Sequence, residues 1–350
     1  MMGKNKEYYK LVRDNIKKLT PYSSARHEFS GHASVHLDAN ENPFDYHMYN
    51  RYPDPLQWDL KKKIGKLKGT TPETIFIGNG SDEPIDLLIR IFCTPGQDAI
   101  HVLEPTYGMY RVAADINDVE VHTTLLTESF EINEDRLFDN MDAHDRILWI
   151  CSPNNPSGNV QDQQIMINIL NRFDGIVVVD EAYIDFSKEA SMVSMLQDYD
   201  NLVVLQTFSK AWGMAGLRCG LAFSSPWIID LMNAVKPPYN VNEFTQKYLS
   251  EQLEKADEVR KEVSKILQER DRVFHFLESL DAVEDVFPSE ANFILFRIQN
   301  SQEIFSGLQE KGIIVRNRTN VPLCKDCLRV TIGTEAENDQ FMKQIKILCK

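Results

Sequence analysis

Between about residues 75 and 225, short apolar, β-branched runs alternate with stretches of helical periodicity. The runs fall at 74–77, 99–103, 119–122, 147–150, 176–179, 202–206 and 217–223. Several are apolar at every position, whereas a strand with one wet face would alternate. That continuity predicts strands covered on both faces, inside a mostly parallel sheet between helices. Lys236-Pro-Pro-Tyr-Asn240 ends the pattern, because two prolines cannot continue a helix. Beyond it lies a long helical stretch over 243–280, rich in Glu and Lys. A second, smaller α/β pattern follows: an apolar run at 291–297, a helix near 301–311, then GIIVRNR and LRVTIGT. Near the N-terminus, Tyr8, Leu11, Val12, Ile16 and Leu19 stand at helical spacing and predict an amphipathic helix. The expected organisation is a large domain over 46–236 and a small α+β domain over 237–350, on which residues 1–45 pack.

Charge narrows the choice of partners. With 52 acidic against 38 basic residues the net charge is −14, which argues against nucleic acid or an anionic membrane surface. An anionic ligand must then be held by local positive charge, so individual arginines carry weight. No apolar run approaches the roughly 18 residues of a membrane span, and the N-terminal stretch lacks the apolar core of a signal peptide. The six cysteines, at 93, 151, 219, 324, 327 and 349, suggest no disulfide framework, and a cytoplasmic setting is expected. Cys324 and Cys327 make a CxxC, but a zinc ribbon needs a second pair and only Cys349 follows.

In open α/β sheets ligands sit beyond the carboxyl ends of the strands. After the run at 74–77 comes GNGSDE, where Gly78 and Gly80 permit a tight turn and Ser81 can cap the next helix. That helix start, with Asp82 in its first turn, offers free N–H groups to an anion. After 147–150 a stiff loop, CSPNNPSGN, presents Asn154 and Asn155. After 176–179 comes Asp180-Glu-Ala-Tyr183. An acid at the end of a buried strand requires a partner, so Asp180 is expected to have a cation beside it. After 202–206 come Ser209 and Lys210, followed by Trp212, Gly213, Met214 and Ala215, poor company for a solvated side chain. A partly desolvated lysine loses its proton readily and can attack a carbonyl carbon. These strand ends together supply what pyridoxal 5′-phosphate needs. A lysine suits its aldehyde, a carboxylate its ring nitrogen, and Asn and Tyr its phenolic oxygen. A helix start with hydroxyls and an arginine suits its phosphate.

The motifs LTPYSSAR, LDANENP, RYPDP, GNGSDE, EPTYGMY, SPNNPSG, VVDEAYIDF, TFSKAWGMAGLRCG, GIIVRNR and LRVTIGT run over nearly the whole chain. On these the sequence resembles the fold-type I PLP-dependent aminotransferases of class I/II, and among them the histidinol-phosphate aminotransferases. The resemblance implies an α/β fold, with a mostly parallel mixed sheet between helices in a large domain and a smaller α+β domain. It implies that Lys210 carries the cofactor and moves a proton, and that Asp180 holds the ring nitrogen. Asn155 and Tyr183 would bind the phenolic oxygen, and Tyr107 would stack on the ring. The phosphate would rest on Gly80, Ser81 and Asp82 with Ser209 and Arg218. Tyr52 would reach it from the other subunit of a homodimer. Arg329, with Arg316, Tyr22 and Asn155, would grip the substrate, and Arg318 is a near neighbour able to take the same role. The implied substrates are histidinol phosphate and glutamate or 2-oxoglutarate, a step of histidine biosynthesis. An aromatic amino acid aminotransferase and a threonine-phosphate decarboxylase remain alternatives on the same fold. A regulatory PLP-binding domain would be expected to carry a basic DNA-binding extension, which is missing, and no GxGxxG supports a dinucleotide dehydrogenase.

Overall fold

A computed structural model describes residues 8–22, 34–46 and 48–349. Its larger sheet has seven strands in the order β1-β7-β6-β5-β4-β2-β3. These are β1 (Ile75–Gly78), β2 (Ala99–Glu104), β3 (Glu120–Leu125), β4 (Asp145–Cys151), β5 (Ile176–Asp180), β6 (Leu202–Thr207) and β7 (Gly220–Ser224). Only β7 runs against its neighbours, pairing antiparallel with both β1 and β6. Period-2 alternation sends each strand's side chains to two different cores. Ile75, Ile77, Leu148, Ile150, Val177, Val179, Leu202 and Val204 face one cluster. Phe76, Ile147, Trp149, Ile176, Val178, Val203 and Leu205 face the other. This is why the runs are apolar throughout.

The helices that cover this sheet include α1 (Trp58–Lys68), α2 (Asp82–Phe92), α3 (Met109–Ile116), α4 (Glu134–Asn140), α5 (Gln163–Arg172) and α6 (Pro226–Val235). The predicted helix over 243–280 is two, α7 (Glu243–Gln252) and α8 (Ala256–Glu278), joined by a 3₁₀ turn at Leu253–Lys255. The smaller sheet is antiparallel throughout, ordered β10-β11-β9-β8. It comprises β8 (Val283–Val286), β9 (Phe293–Ile298), β10 (Arg316–Asn317) and β11 (Cys327–Thr331), with α9 (Ser301–Glu310) and α10 (Glu335–Leu348). On β9, Phe293 and Leu295 join the large sheet's core, while Ile294, Phe296 and Ile298 face α8, α9 and α10. One strand thus ties the two units together.

Two expectations need correction. The N-terminal pattern is not one helix among the described residues: residues 8–9 are helical, a turn follows, and a second short helix spans Asp14–Lys17. Nor do the described apolar residues of 8–16 pack on the smaller sheet. Val12 is buried in the core beneath α2 and α6, the Arg13 N–H donates to Ile91 O, and Tyr9 meets Trp227 edge-on. Its apolar residues are satisfied by the nearer surface, so periodicity gave the buried face but not its destination. Residues 1–7 and the SSAR of LTPYSSAR lie outside the described residues.

Candidate active site

β5 delivers Asp180 to the floor of a cavity of about 110 Å³. Its carboxylate is 3% exposed. Oδ2 accepts from the Tyr110 hydroxyl at 2.6 Å and Oδ1 from the Ala182 N–H at 3.1 Å. Among the described residues no cation stands within ion-pair distance, so the partner expected from the sequence is not supplied by the chain. Burial pushes the carboxyl above its ordinary range, while Tyr110, the Ala182 N–H and the Lys210 charge pull it down. Tyr110 itself is fully buried, stacked on Trp149 at 4.6 Å between ring centroids and edge-on to Tyr107 at 5.6 Å. Sequence reasoning missed Tyr110. The available signal was its place three residues after Tyr107, one turn along the start of α3.

Lys210 follows β6, with Nζ 5.4 Å from the centroid of the Tyr183 ring. Its side chain remains open to solvent at the cavity mouth. Crowding by protein lowers its pKa first and the Arg329 charge next, against an opposing pull from Asp180. A lysine held this way yields a free amine more readily than one in water.

An anion cradle forms where β1 and β7 meet. Gly80 has φ +82°, and a Cβ there would lie 2.7 Å from Arg218 Nη2. Gly220 is equally constrained, since its Cβ would fall 2.4 Å from the Ser81 N–H nitrogen. These contacts bring Arg218 against the first turn of α2, with Nη2 3.5 Å from Asp82 Oδ2. The expected Ser81 side-chain cap is not made. Its backbone turns directly into the helix with αR dihedrals, so the hydroxyl lines the cavity instead. Tyr107 reaches the same turn, donating to Asp82 Oδ1 at 3.3 Å, and burial pushes its phenol up to about 12.

The smaller sheet closes the other side. Arg329 on β11 donates through Nη1 to Asn155 Oδ1, and its guanidinium lies 4.9 Å from the Phe293 ring centroid. Phe293 in turn meets Tyr183 edge-on at 5.1 Å. Burial, then the charge of Arg318, lowers Arg329 to about 10. Arg316 stands directly opposite Arg329 in the β10–β11 ladder and is exposed.

The cavity therefore gathers Ser81, Asp82, Tyr107, Asn155, Asp180, Tyr183, Ser209, Lys210 and Arg218, with Cys151, Ala182 and Thr207. Gly80 and Arg329 adjoin it through Arg218 and Asn155. Two expected residues lie elsewhere. Tyr22 is 70% exposed and lines a separate cavity of about 370 Å³ beside Trp58, Lys61 and Tyr239, so within one chain it is not brought to Arg329. The course of residues 8–22 along the large sheet's helices accounts for this. Tyr52 stacks on Tyr239, 4.5 Å between centroids, on an exposed surface.

A lysine, a buried acid and an arginine-backed anion cradle, all at strand carboxyl ends beside a second sheet, define an aminotransferase site. The chain belongs to the aminotransferase class I and II family, which it matches over residues 32–345. It is 49% identical over 341 residues to the histidinol-phosphate aminotransferase of Parabacteroides distasonis, covering 97% of this chain and 99% of that one. The histidinol-phosphate aminotransferase of Cytophaga hutchinsonii is also 49% identical, over 96% of this chain and 97% of its own. Among solved structures, the histidinol-phosphate aminotransferase of Clostridium acetobutylicum superposes with a TM-score of 0.79 at 25% identity, covering 85% of this chain and 90% of that one. That of Sinorhizobium meliloti, in complex with pyridoxal-5′-phosphate, gives 0.80 at 20% identity, over 87% and 84%.

The family's cofactor, pyridoxal 5′-phosphate, fits the residues present. Asp180 is a buried acid with two neutral donors and no cation of its own, which is what a protonated ring nitrogen would complete. The Gly80 turn leaves the space beside Arg218 that a Cβ would fill.

Proposed function

We propose that this protein transfers an amino group between L-histidinol phosphate and 2-oxoglutarate, giving imidazole-acetol phosphate and L-glutamate, a step of L-histidine biosynthesis. One observation carries the reading: Arg329, which among the described residues has no acidic partner, adjoins through Asn155 the cavity that holds Lys210 and Asp180. A guanidinium fork suits both the phosphate of one substrate and the carboxylate of the other. The 49% identity to histidinol-phosphate aminotransferases over nearly the full chain supports the same choice.

Pyridoxal 5′-phosphate, when bound, supplies the electron sink that makes the substrate's Cα–H acidic. Asp180 would hold the ring-nitrogen proton, with the Tyr110 hydroxyl favouring its charged form. Lys210 would hold the cofactor's aldehyde carbon and serve as the base for the substrate's Cα proton. Asn155 and Tyr183 would bind the phenolic oxygen, and Tyr107 would lie against the ring. The N–H groups of Gly80, Ser81 and Asp82, with Ser209 and Arg218, would hold the phosphate. Arg329, Arg316, Asn155 and Tyr22 orient the substrate's anionic end. The working form is a cytoplasmic homodimer in which Tyr52 of each protomer reaches its partner's cofactor.

The test is a single half-reaction. Cofactor-loaded protein is mixed separately with histidinol phosphate, histidinol, phenylalanine and glutamate, and loss of the cofactor's visible absorbance is followed. Rapid loss with histidinol phosphate and glutamate, and little with histidinol, is the expected pattern. An equal or faster response to phenylalanine would replace this reading with an aromatic aminotransferase.

A further inference from the structure

The separate cavity of about 370 Å³, lined from α1 and α6, contains neither Lys210 nor Asp180 and has the size of a small-molecule site. It holds two buried lysines. Lys61 of α1 is only 1% exposed, with Nζ 5.5 Å from the centroid of the Trp58 ring. Lys236, just beyond α6, is 6% exposed, and its Nζ reaches only the adjacent Pro237 O at 3.4 Å. Among the described residues neither makes an ion pair, and the Lys61 ammonium makes no hydrogen bond. Asp54 is near enough for its charge to act on both, but its carboxylate is engaged by the Leu56 and Trp58 N–H groups at the start of α1. Burial, and at Lys61 the Lys236 charge next, lowers each lysine to about 8, so both remain charged at neutral pH.

Two neighbouring ammonium groups that have given up water without gaining an acid are costly, and a carboxylate placed between them relieves both. The rest of the lining narrows the ligand further. Glu73 and Asp230 stand exposed on the same cavity, and among the described residues neither has an ion-pair partner. Two inner cations and two outer acids cancel. A bare anion drawn to the lysines is therefore repelled at the entrance, whereas a zwitterion satisfies both ends. On α6, Asn233 Oδ1 is buried without a hydrogen-bond partner and offers an acceptor to an N–H. Between the charged ends the lining is mostly apolar and includes the rings of Trp58 and Tyr239.

We propose that this cavity binds a free α-amino acid with a flat ring in its side chain. The carboxylate lies between Lys61 and Lys236, the ammonium points toward Asp230, and the ring rests against Trp58 and Tyr239. Because Lys210 is elsewhere, the occupant is held and not converted.

The experiment titrates the cofactor-loaded enzyme with L-phenylalanine, L-histidine and 3-phenylpropionate, which keeps the carboxylate and ring but has no ammonium. Calorimetry registers all binding, while the cofactor's visible absorbance reports only the Lys210 cavity. Wild type, Arg329→Gln, Lys61→Met, Lys236→Met and Asp230→Asn are compared. The expected result is one site per chain whose filling leaves the visible spectrum unchanged and which survives Arg329→Gln. Lys61→Met and Lys236→Met should each weaken it about 30-fold, the scale of one lost charge-assisted hydrogen bond. Asp230→Asn should bring phenylalanine down to the level of 3-phenylpropionate. The two lysine variants read the same contact independently, so a folding failure in one leaves the other decisive. No calorimetric binding to wild type, binding abolished by Arg329→Gln, full affinity in a folded lysine variant, or equal wild-type affinities for phenylalanine and 3-phenylpropionate would each overturn the proposal.

Discussion

Tyr110→Phe isolates one hydrogen bond. The phenyl ring keeps its stack on Trp149, and only the hydroxyl that donates to Asp180 Oδ2 is lost. At 2.6 Å this contact lies in the range of an O–H donating to a charged oxygen. Such bonds contribute about 1.5–3 kcal/mol, and each pKa unit corresponds to 1.36 kcal/mol, so about 1–2 units of acidity are at stake. Tyr110 lowers the Asp180 pKa, against burial that raises it. Deleting the hydroxyl therefore raises it further, and the carboxylate is lost at a higher pH on acidification. The acid limb of kcat/KM for histidinol phosphate should move up by about 1–2 pH units, with less than tenfold loss on the alkaline plateau. A pH series of steady-state rates on wild type and variant reads both quantities. An acid limb that stays in place would refute the argument that Tyr110 sets the ionisation of Asp180.

Three further outcomes can be checked with simple variants. Lys210→Ala should lower turnover by at least about 10³-fold, measured as glutamate formation, and a wild-type rate would remove Lys210 from the chemistry. Gly80→Ala places a Cβ 2.7 Å from Arg218 Nη2 on a residue with φ +82° and should weaken cofactor binding about tenfold in an absorbance titration. Glu181 is buried beside Asp180 and accepts from Ser191, the Met192 N–H and Gln206, and burial raises its pKa from 4.5 to about 7. A raised carboxyl contributes stability that is present below pH 4.5 and lost as pH rises through about 7, a change of about 3 kcal/mol. Glu181→Gln should therefore gain on wild type in Tm between pH 5 and pH 8.5, and a constant Tm difference across that range would count against the buried carboxyl.

The central sheet and the cavity floor were legible because their physics is local. A strand buried on both faces shows as an unbroken apolar run, and Asp180 and Lys210 each follow such a run directly. The anion cradle was legible for the same reason at Gly80 and Ser81, though not the idle cap of Ser81. What escaped depends on contacts between distant segments. Nothing near Asp180 in sequence announces Tyr110, seventy positions earlier, as its donor. The helical spacing of Tyr8, Leu11, Val12 and Ile16 revealed an apolar face, but the choice between two surfaces is made by which is nearer in space. The break between α7 and α8 is similarly silent, since a 3₁₀ turn accepts the same residues as a helix.

The position of β7 also bears on how the protein is made. Among the described residues β1 has no neighbour in the sheet except β7, and Gly78 and Gly220 pair although they are 142 positions apart. On a ribosome adding about 5–20 residues per second, the nascent β1 waits roughly 7–28 s for that partner. Throughout this interval Ile75, Phe76 and Ile77 form an apolar segment with an unpaired backbone edge, open to pairing with another half-made chain. Arg218 emerges only just before β7, so its contact with the Gly80 turn, the proposed phosphate site, forms as the edge is closed. On that proposed site cofactor capture is expected late in synthesis, and the chain that stops before residue 220 is the state most in need of a chaperone.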